Sequence, residues 1–348
     1  MAMNGLRGPE RGKALRRTFI ALMAATLSFI LALPTALACA PAPPGQPTQG
    51  YGSAARYICS SFKRLEKGSF TEGTKVTVFV PAKLKNGSTA PVVIYLHGFM
   101  MVAPDIYLAH IKHLTNQGYI VVFPSYNLGG FTGMLRDTDQ TKMMQRAVRN
   151  ANTGLAMVAG KADLSDVTVF GHSLGGLLGA CWEGSGGIKP RAVVLANLAT
   201  DATAGMPSFV KGLISIKTLD WKRLAPGTTG KALVLTGTDD KLSGPAQARE
   251  LYGHLTGASS RVLYCLQTDK HGDPDLVADH NACISDDGCM PDFIMDLVLG
   301  GDGEVDATDW CFYWAALDAA LEGQGSLAFD MGSWSDGVPV APVLQLAP

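Results

Sequence analysis

The chain has 348 residues, 47% of them hydrophobic and 17% charged, with a formal net charge of −1. That balance excludes disordered, collagen-like and coiled-coil classes, which need a polar bias or a fixed repeat. Five of the 29 basic residues but one of the 30 acidic ones fall in residues 1–38, so residues 39–348 carry about −5. A basic groove for nucleic acid is not expected, because phosphate neutralisation needs clustered Lys and Arg.

The first predicted element is an export signal. Arg16 and Arg17 precede an uncharged stretch from Thr18 to Ala38 that closes on Ala36-Leu37-Ala38. A basic start, an apolar middle and a small-x-small end form the layout of a secretory signal peptide. Arg16-Arg17-Thr18-Phe19-Ile20 also resembles a twin-arginine signal. The expectation is an exported protein, periplasmic or extracellular. Membrane association is expected only if the signal is retained or if Cys39 is lipidated, a match weakened by Ala36 where lipoprotein signals have Leu. Residues 39–50, rich in Pro and Gly, read as a stiff linker, and 51–348 as one catalytic domain.

Beyond the linker, short β-branched runs alternate with amphipathic segments. Strands are predicted at Lys75–Val80, Val92–Leu96, Ile120–Phe123, Val167–Phe170, Ala192–Leu195, Ala232–Leu235 and Val262–Leu266. Helices are predicted near Pro104–Gln117, Gln140–Ala159, Leu174–Glu183, Pro245–Leu255 and Ala307–Leu321. Runs such as Val92-Val93-Ile94-Tyr95-Leu96 are apolar without alternation, as in strands buried on both faces. The expected class is α/β, a mostly parallel central sheet flanked by helices, with short lid-like insertions at Asn127–Asp139 and Asp201–Gly230. Phe131, Met134, Met206, Phe209, Val210, Leu213 and Trp221 are candidates to wall an apolar pocket there.

Open sheets of this kind place their chemistry at the carboxyl ends of strands. The strand ends deliver His97-Gly98-Phe99-Met100, Gly171-His172-Ser173-Leu174-Gly175, Gly237-Thr238-Asp239-Asp240 and, further on, His271 and His280. The second of these fits G-x-S-x-G between a strand and a helix, where a sharp turn exposes a serine hydroxyl. Ser173 is therefore the candidate nucleophile, and His172, adjacent in sequence, is read as structural. Asp239 and Asp240 are both candidate acids. Of the seven histidines, only His271 and His280 follow the last strand, so either is a candidate base.

These motifs resemble the α/β-hydrolase-fold serine esterases and lipases, over nearly all of Lys75 to Leu321. The resemblance implies the order nucleophile, acid, histidine, with oxyanion donors from Leu174 N–H and Phe99 N–H, Met100 N–H being the alternative. Gly-x-x-Asp spacing in similar hydrolases favours Asp240 over Asp239. Val277-Ala278-Asp279-His280-Asn281 resembles a histidine segment of secreted polyester-type hydrolases and favours His280 over His271. The loop of about 14 residues that precedes His280 is long for such a connection. The implied function is hydrolysis of small-molecule or polymeric carboxylic esters through an acyl-enzyme, with neither cofactor nor metal. A serine peptidase or amidase on the same fold, and a non-catalytic binding protein, are the rival classes.

Cys283 and Cys289 flank a short loop and are the expected disulfide, oxidation being available to an exported chain. In Asp302-Gly303-Glu304-Val305-Asp306, carboxylates recur at alternate positions. Ala307 stands where a calcium loop needs Gly, so a solvated turn is expected.

Overall fold

A computed structural model describes residues 40–129, 133, 136–201, 216–285 and 304–347. The export signal, Cys39, Cys289, Asp302 and the apolar candidates Phe131, Met134, Met206, Phe209, Val210 and Leu213 lie outside them. Among the described residues, no helix is long and apolar enough to cross a membrane.

Among the described residues, nine strands form one sheet: β1 (Phe62–Lys67), β2 (Val76–Pro81), β3 (Ala90–Leu96), β4 (Ile120–Pro124), β5 (Ala162–His172), β6 (Ala192–Ala196), β7 (Lys231–Gly237), β8 (Ser260–Leu266) and β9 (Leu344–Gln345). Their order is β1-β2-β4-β3-β5-β6-β7-β8-β9. The run from β4 through β8 is parallel, while β1, β2 and β9 pair antiparallel at the two edges. The seven predicted strands are all present. β1 escapes the apolar pattern because Phe-Lys-Arg-Leu-Glu-Lys is a charged edge strand, a composition that discourages pairing with other chains.

The longer helices among the described residues are α1 (Leu108–Asn116), α2 (Gln140–Met157), α3 (Leu174–Ala180), α4 (Gly244–His254) and α5 (Ala315–Leu321), the last continuing from a π-helical turn at Asp309–Trp314. Asp139 starts α2 by accepting from the amides of Thr141 and Lys142, satisfying donors that a helix start leaves unpaired. Alternation along β3 sends Val92, Ile94 and Leu96 to one core with α2, α3 and α4. Val93 and Tyr95 go to the other, with α1 and α5. Each fully buried Val, Leu or Ile contributes roughly 1.5–3 kcal/mol, so the buried β3 is a rigid base for the loop at its carboxyl end.

Residues 41–50 are not free of the body, as a linker would be. Pro41 O accepts from Asp273 N, Ala42 O accepts from Ser335 N, and Gln46 Nε2 donates to Gly52 O. Further along this arm, Gly52 N–H donates to the buried carboxylate of Asp318 at 2.8 Å. Asp318 also faces His113 Nε2 (3.1 Å), Gln117 Nε2 (2.7 Å) and Arg56 Nε (3.4 Å).

Of the pocket candidates, Trp221 is among the described residues. It is buried in the core beneath α3 and α4, edge-on to His254 at 5.0 Å. Cys283 is a buried free thiol.

Candidate active site

Strand β5 ends at His172 and α3 begins at Leu174, leaving Ser173 alone in the turn at φ 55°, ψ −119°. Few L-residues adopt such a conformation, and it persists only where its surroundings enforce it. The enforcement is visible in the two flanking glycines. A Cβ on Gly171 would lie 2.1 Å from Gly175 O, and one on Gly175 would lie 2.2 Å from Leu96 O. Only hydrogen side chains let the elbow close against itself and against the end of β3. Ser173 N–H donates to Ala196 O at 3.0 Å, pinning the elbow to the end of β6 as well.

The structure brings Ser173, His280 and Asp240 together. His280 Nε2 lies 2.8 Å from Ser173 Oγ, and His280 Nδ1 lies 3.0 Å from both carboxylate oxygens of Asp240. Asp240 also accepts from the amides of Leu242 (2.9 Å) and Ser243 (2.8 Å) and from the Ser243 hydroxyl. Burial alone would raise its pKa. The hydrogen bonds and charge of His280, with the Ser243 bonds, outweigh that and hold Asp240 at about 2. An ionised Asp240 fixes the proton of a neutral His280 on Nδ1, leaving Nε2 to accept from Ser173.

The alternative residues have other partners. Asp239 accepts from Thr268 Oγ1 at 2.9 Å, which braces the end of β7 against the segment after β8. His271 Nε2 meets Asp336 Oδ2 at 2.7 Å on the surface, with its ring near Trp334.

The loop after β3 turns at Gly98–Met101, where Met101 N–H donates to Gly98 O at 3.1 Å and Met100 is held at φ 67°. Met100 N–H is occupied by Asn127 Oδ1 at 3.2 Å. Phe99 N–H and Leu174 N–H have no acceptor among the described residues. His97 does not react with anything in the site. Its ring stacks on Tyr126 at 3.9 Å, its Nδ1 lies 2.6 Å from Gly98 O, and its Nε2 accepts from Tyr126 N–H at 3.3 Å. Burial lowers its pKa to about 4, so it supports the loop as a neutral ring.

Three residues shape the site without a motif to mark them. Ser243 braces Asp240 from three positions along the chain. Asn197, at φ 45° just past β6, donates from Nδ2 to the carbonyls of Asp279 (2.9 Å) and His280 (3.0 Å), and its Oδ1 accepts from Tyr313 OH at 3.1 Å. Tyr107 contacts both Gly98 and His172. The detectable signal for Asn197 was its place at a strand's carboxyl end, level with the other delivered residues. No group of three His, Cys, Asp or Glu side chains among the described residues converges as a metal site.

The sheet order, the elbow and the serine, histidine and aspartate held in line define a serine hydrolase of the α/β-hydrolase fold. The family model described as Chlorophyllase matches residues 60–204, less than half of the chain and a span that holds Ser173 but neither Asp240 nor His280. No curated protein matches. Among solved structures, the chain is similar to an acylaminoacyl peptidase in complex with Z-Gly-Gly-Phe-chloromethyl ketone, at 14% identity and a TM-score of 0.50 over 71% of this chain and 42% of that one. It is also similar to Pyrococcus horikoshii acylaminoacyl peptidase, at 13% identity and 0.48 over 61% and 38% respectively. A third is esterase B from Lactobacillus Rhamnosis (HN001), at 16% identity and 0.44 over 61% and 78%. The chain spans about two fifths of the length of the two peptidases. At these identities the likeness is one of fold alone.

Proposed function

We propose that the protein is an exported carboxylic ester hydrolase working through Ser173, His280 and Asp240. The observation that carries this reading is the 2.8 Å contact of Ser173 Oγ with His280 Nε2, whose other nitrogen is held by Asp240. His280 takes the hydroxyl proton as Ser173 Oγ attacks the acyl carbonyl, and Asp240 stabilises the imidazolium that results. The oxyanion is received by Phe99 N–H and Leu174 N–H, each such donor stabilising the transition state by about 3 kcal/mol. His280 then returns its proton to the leaving alcohol, and water, activated by the same imidazole, releases the acid from Ser173. The chlorophyllase-type family match supports an ester substrate, and the half-buried apolar Phe99 and Met100 support an apolar group near the donors. Export rests on the basic and apolar N-terminal pattern, with mature protein starting at or near Cys39.

The test pairs p-nitrophenyl esters of graded acyl length with peptide p-nitroanilides, using the wild type and Ser173→Ala. The expected result is ester turnover that Ser173→Ala removes. Equal turnover in Ser173→Ala overturns the reading, and anilide turnover exceeding ester turnover overturns its ester part. Mass spectrometry of the exported chain checks the cleavage point.

A further inference from the structure

His172 lies beside Ser173 in sequence, yet its ring turns away from the hydroxyl into a fully buried position. There it touches two loops. Its Nε2 lies 3.0 Å from the carbonyl oxygen of His280, and its Nδ1 lies 2.9 Å from Tyr107 OH. Tyr107 OH in turn accepts from Gly98 N–H at 2.8 Å, one residue before Phe99. A carbonyl only accepts, so Nε2 must carry the hydrogen. Burial lowers the His172 pKa to about 3, so the ring is neutral and Nδ1 accepts from Tyr107 OH. The Tyr107 oxygen keeps a lone pair for the Gly98 amide, and Met101 Sδ lies 2.9 Å from the same hydroxyl as a weaker acceptor.

We infer that His172 and Tyr107 are positioning residues that couple the Gly98–Met101 donor loop to the backbone of His280, keeping base and oxyanion donors at a fixed spacing. The inference rests on the hydrolase reading above. Neither residue touches the reacting atoms. Both hold loops that have no strand in common, one following β3 and the other lying beyond β8. Asn197 Nδ2 donates to the same His280 carbonyl at 3.0 Å, so that oxygen is held by two buried side chains. Catalytic geometry tolerates little looseness: a displacement of about 1 Å can cost on the order of 100-fold in rate.

Three variants separate the contacts. Tyr107→Phe removes one oxygen and keeps the ring packed on Tyr95 and Phe123. His172→Asn places an acceptor near the position of Nδ1 and loses the donor to His280. His172→Gln places a donor near Nε2 and keeps that link. Each is assayed as kcat per site titrated with a fluorophosphonate, which counts folded, reactive protein only. The expected result is a fall in kcat of about 10- to 100-fold for Tyr107→Phe and His172→Asn, with KM changed by less than about threefold. His172→Gln is expected to recover most of the loss. Values of kcat within about twofold of wild type for the first two variants overturn the inference, as does a His172→Gln no better than His172→Asn. Failure of wild type itself to label at Ser173 overturns the hydrolase reading and this one with it. A labelled wild type with unaffected variants overturns this one alone.

Discussion

The side-chain amide of Asn197 spans the two peptide carbonyls of Asp279 and His280, so the residue just past β6 sets the backbone position of the imidazole facing Ser173. The amide is fully used, because its oxygen accepts from Tyr313 OH. Asn197→Ala strands the buried Tyr313 hydroxyl, removes a donor from the Asp279 carbonyl, leaves the His280 carbonyl with His172, and places a residue less tolerant of the left-handed region than Asn at φ 45°. Asn197→Gly loses the same bonds but relaxes the backbone. Chemical denaturation is expected to show a loss of about 1–3 kcal/mol for Gly and a larger one for Ala, with ester turnover reduced in both. A stability of Ala equal to wild type contradicts the bracing role.

Asp240 makes stability depend on acid pH. Its folded pKa of about 2 lies below the ordinary 3.8, so the carboxylate stabilises the fold fully above pH 4, and the contribution is lost as pH falls towards 2. The shift corresponds to roughly 2 kcal/mol. Denaturation midpoints of wild type are expected to fall across that window, and those of Asp240→Asn to fall less. At neutral pH, Asp240→Asn is expected to lose on the order of 10,000-fold in kcat, because an amide supports the wrong imidazole tautomer.

Gly175→Ala tests the elbow. Its Cβ would sit 2.2 Å from Leu96 O and 2.7 Å from His97 O, both backbone atoms that no rotamer change can move. The expected outcome is destabilisation by about 3 kcal/mol or more, seen as a depressed thermal midpoint and a poor soluble yield. A normally stable Gly175→Ala would mean that the elbow is looser than its contacts indicate.

Asp318 joins the N-terminal arm to α5 through a buried carboxylate. Burial alone would raise its pKa, but the charge of His113 and bonds from His113, Gln117 and Gly52 outweigh it and lower it. Asp318→Ala leaves Gly52 N–H without its acceptor, Gln117 Nε2 with His113 alone, and Arg56 with Glu322 and Gln117 Oε1. Removing one partner of a buried ionic cluster costs about 3–5 kcal/mol. Urea denaturation measures the loss, and early proteolysis within residues 41–57 marks the release of the arm.

Much of this molecule can be read from residue patterns. Continuous apolar runs locate every strand of the parallel core, because a strand buried on both faces has no polar positions to interrupt it. β1 and β9 are not visible: one is mostly charged, and the other is two residues paired to an edge. Gly171 and Gly175 announce the turn around Ser173 because the close approach they permit is local. The choice of His280 over His271, and of Asp240 over Asp239, rests in the sequence on resemblance to the spacings of similar hydrolases and not on a physical property of the residues themselves. Both pairs follow strands at plausible distances, and only tertiary packing turns His271 towards Asp336 and Asp239 towards Thr268. Asn197 is marked only by its place after β6, and Ser243 by no motif; the bonds that give both their roles are set by the fold.

The long connection before His280 behaves as a much shorter one. Asp269 and Leu276 exchange backbone hydrogen bonds at 2.9 Å, Thr268 Oγ1 accepts from Ala278 N–H, and Ala278 O accepts from Asp239 N–H. The excursion over residues 270–275 is thus closed off at its neck, and its outer contacts are with Pro41, Trp334 and Asp336. Changes in its length or sequence reach the arm and the tail before they reach the imidazole. Those six residues are the part of the histidine segment most open to evolutionary or engineered variation without retiming the chemistry at Ser173.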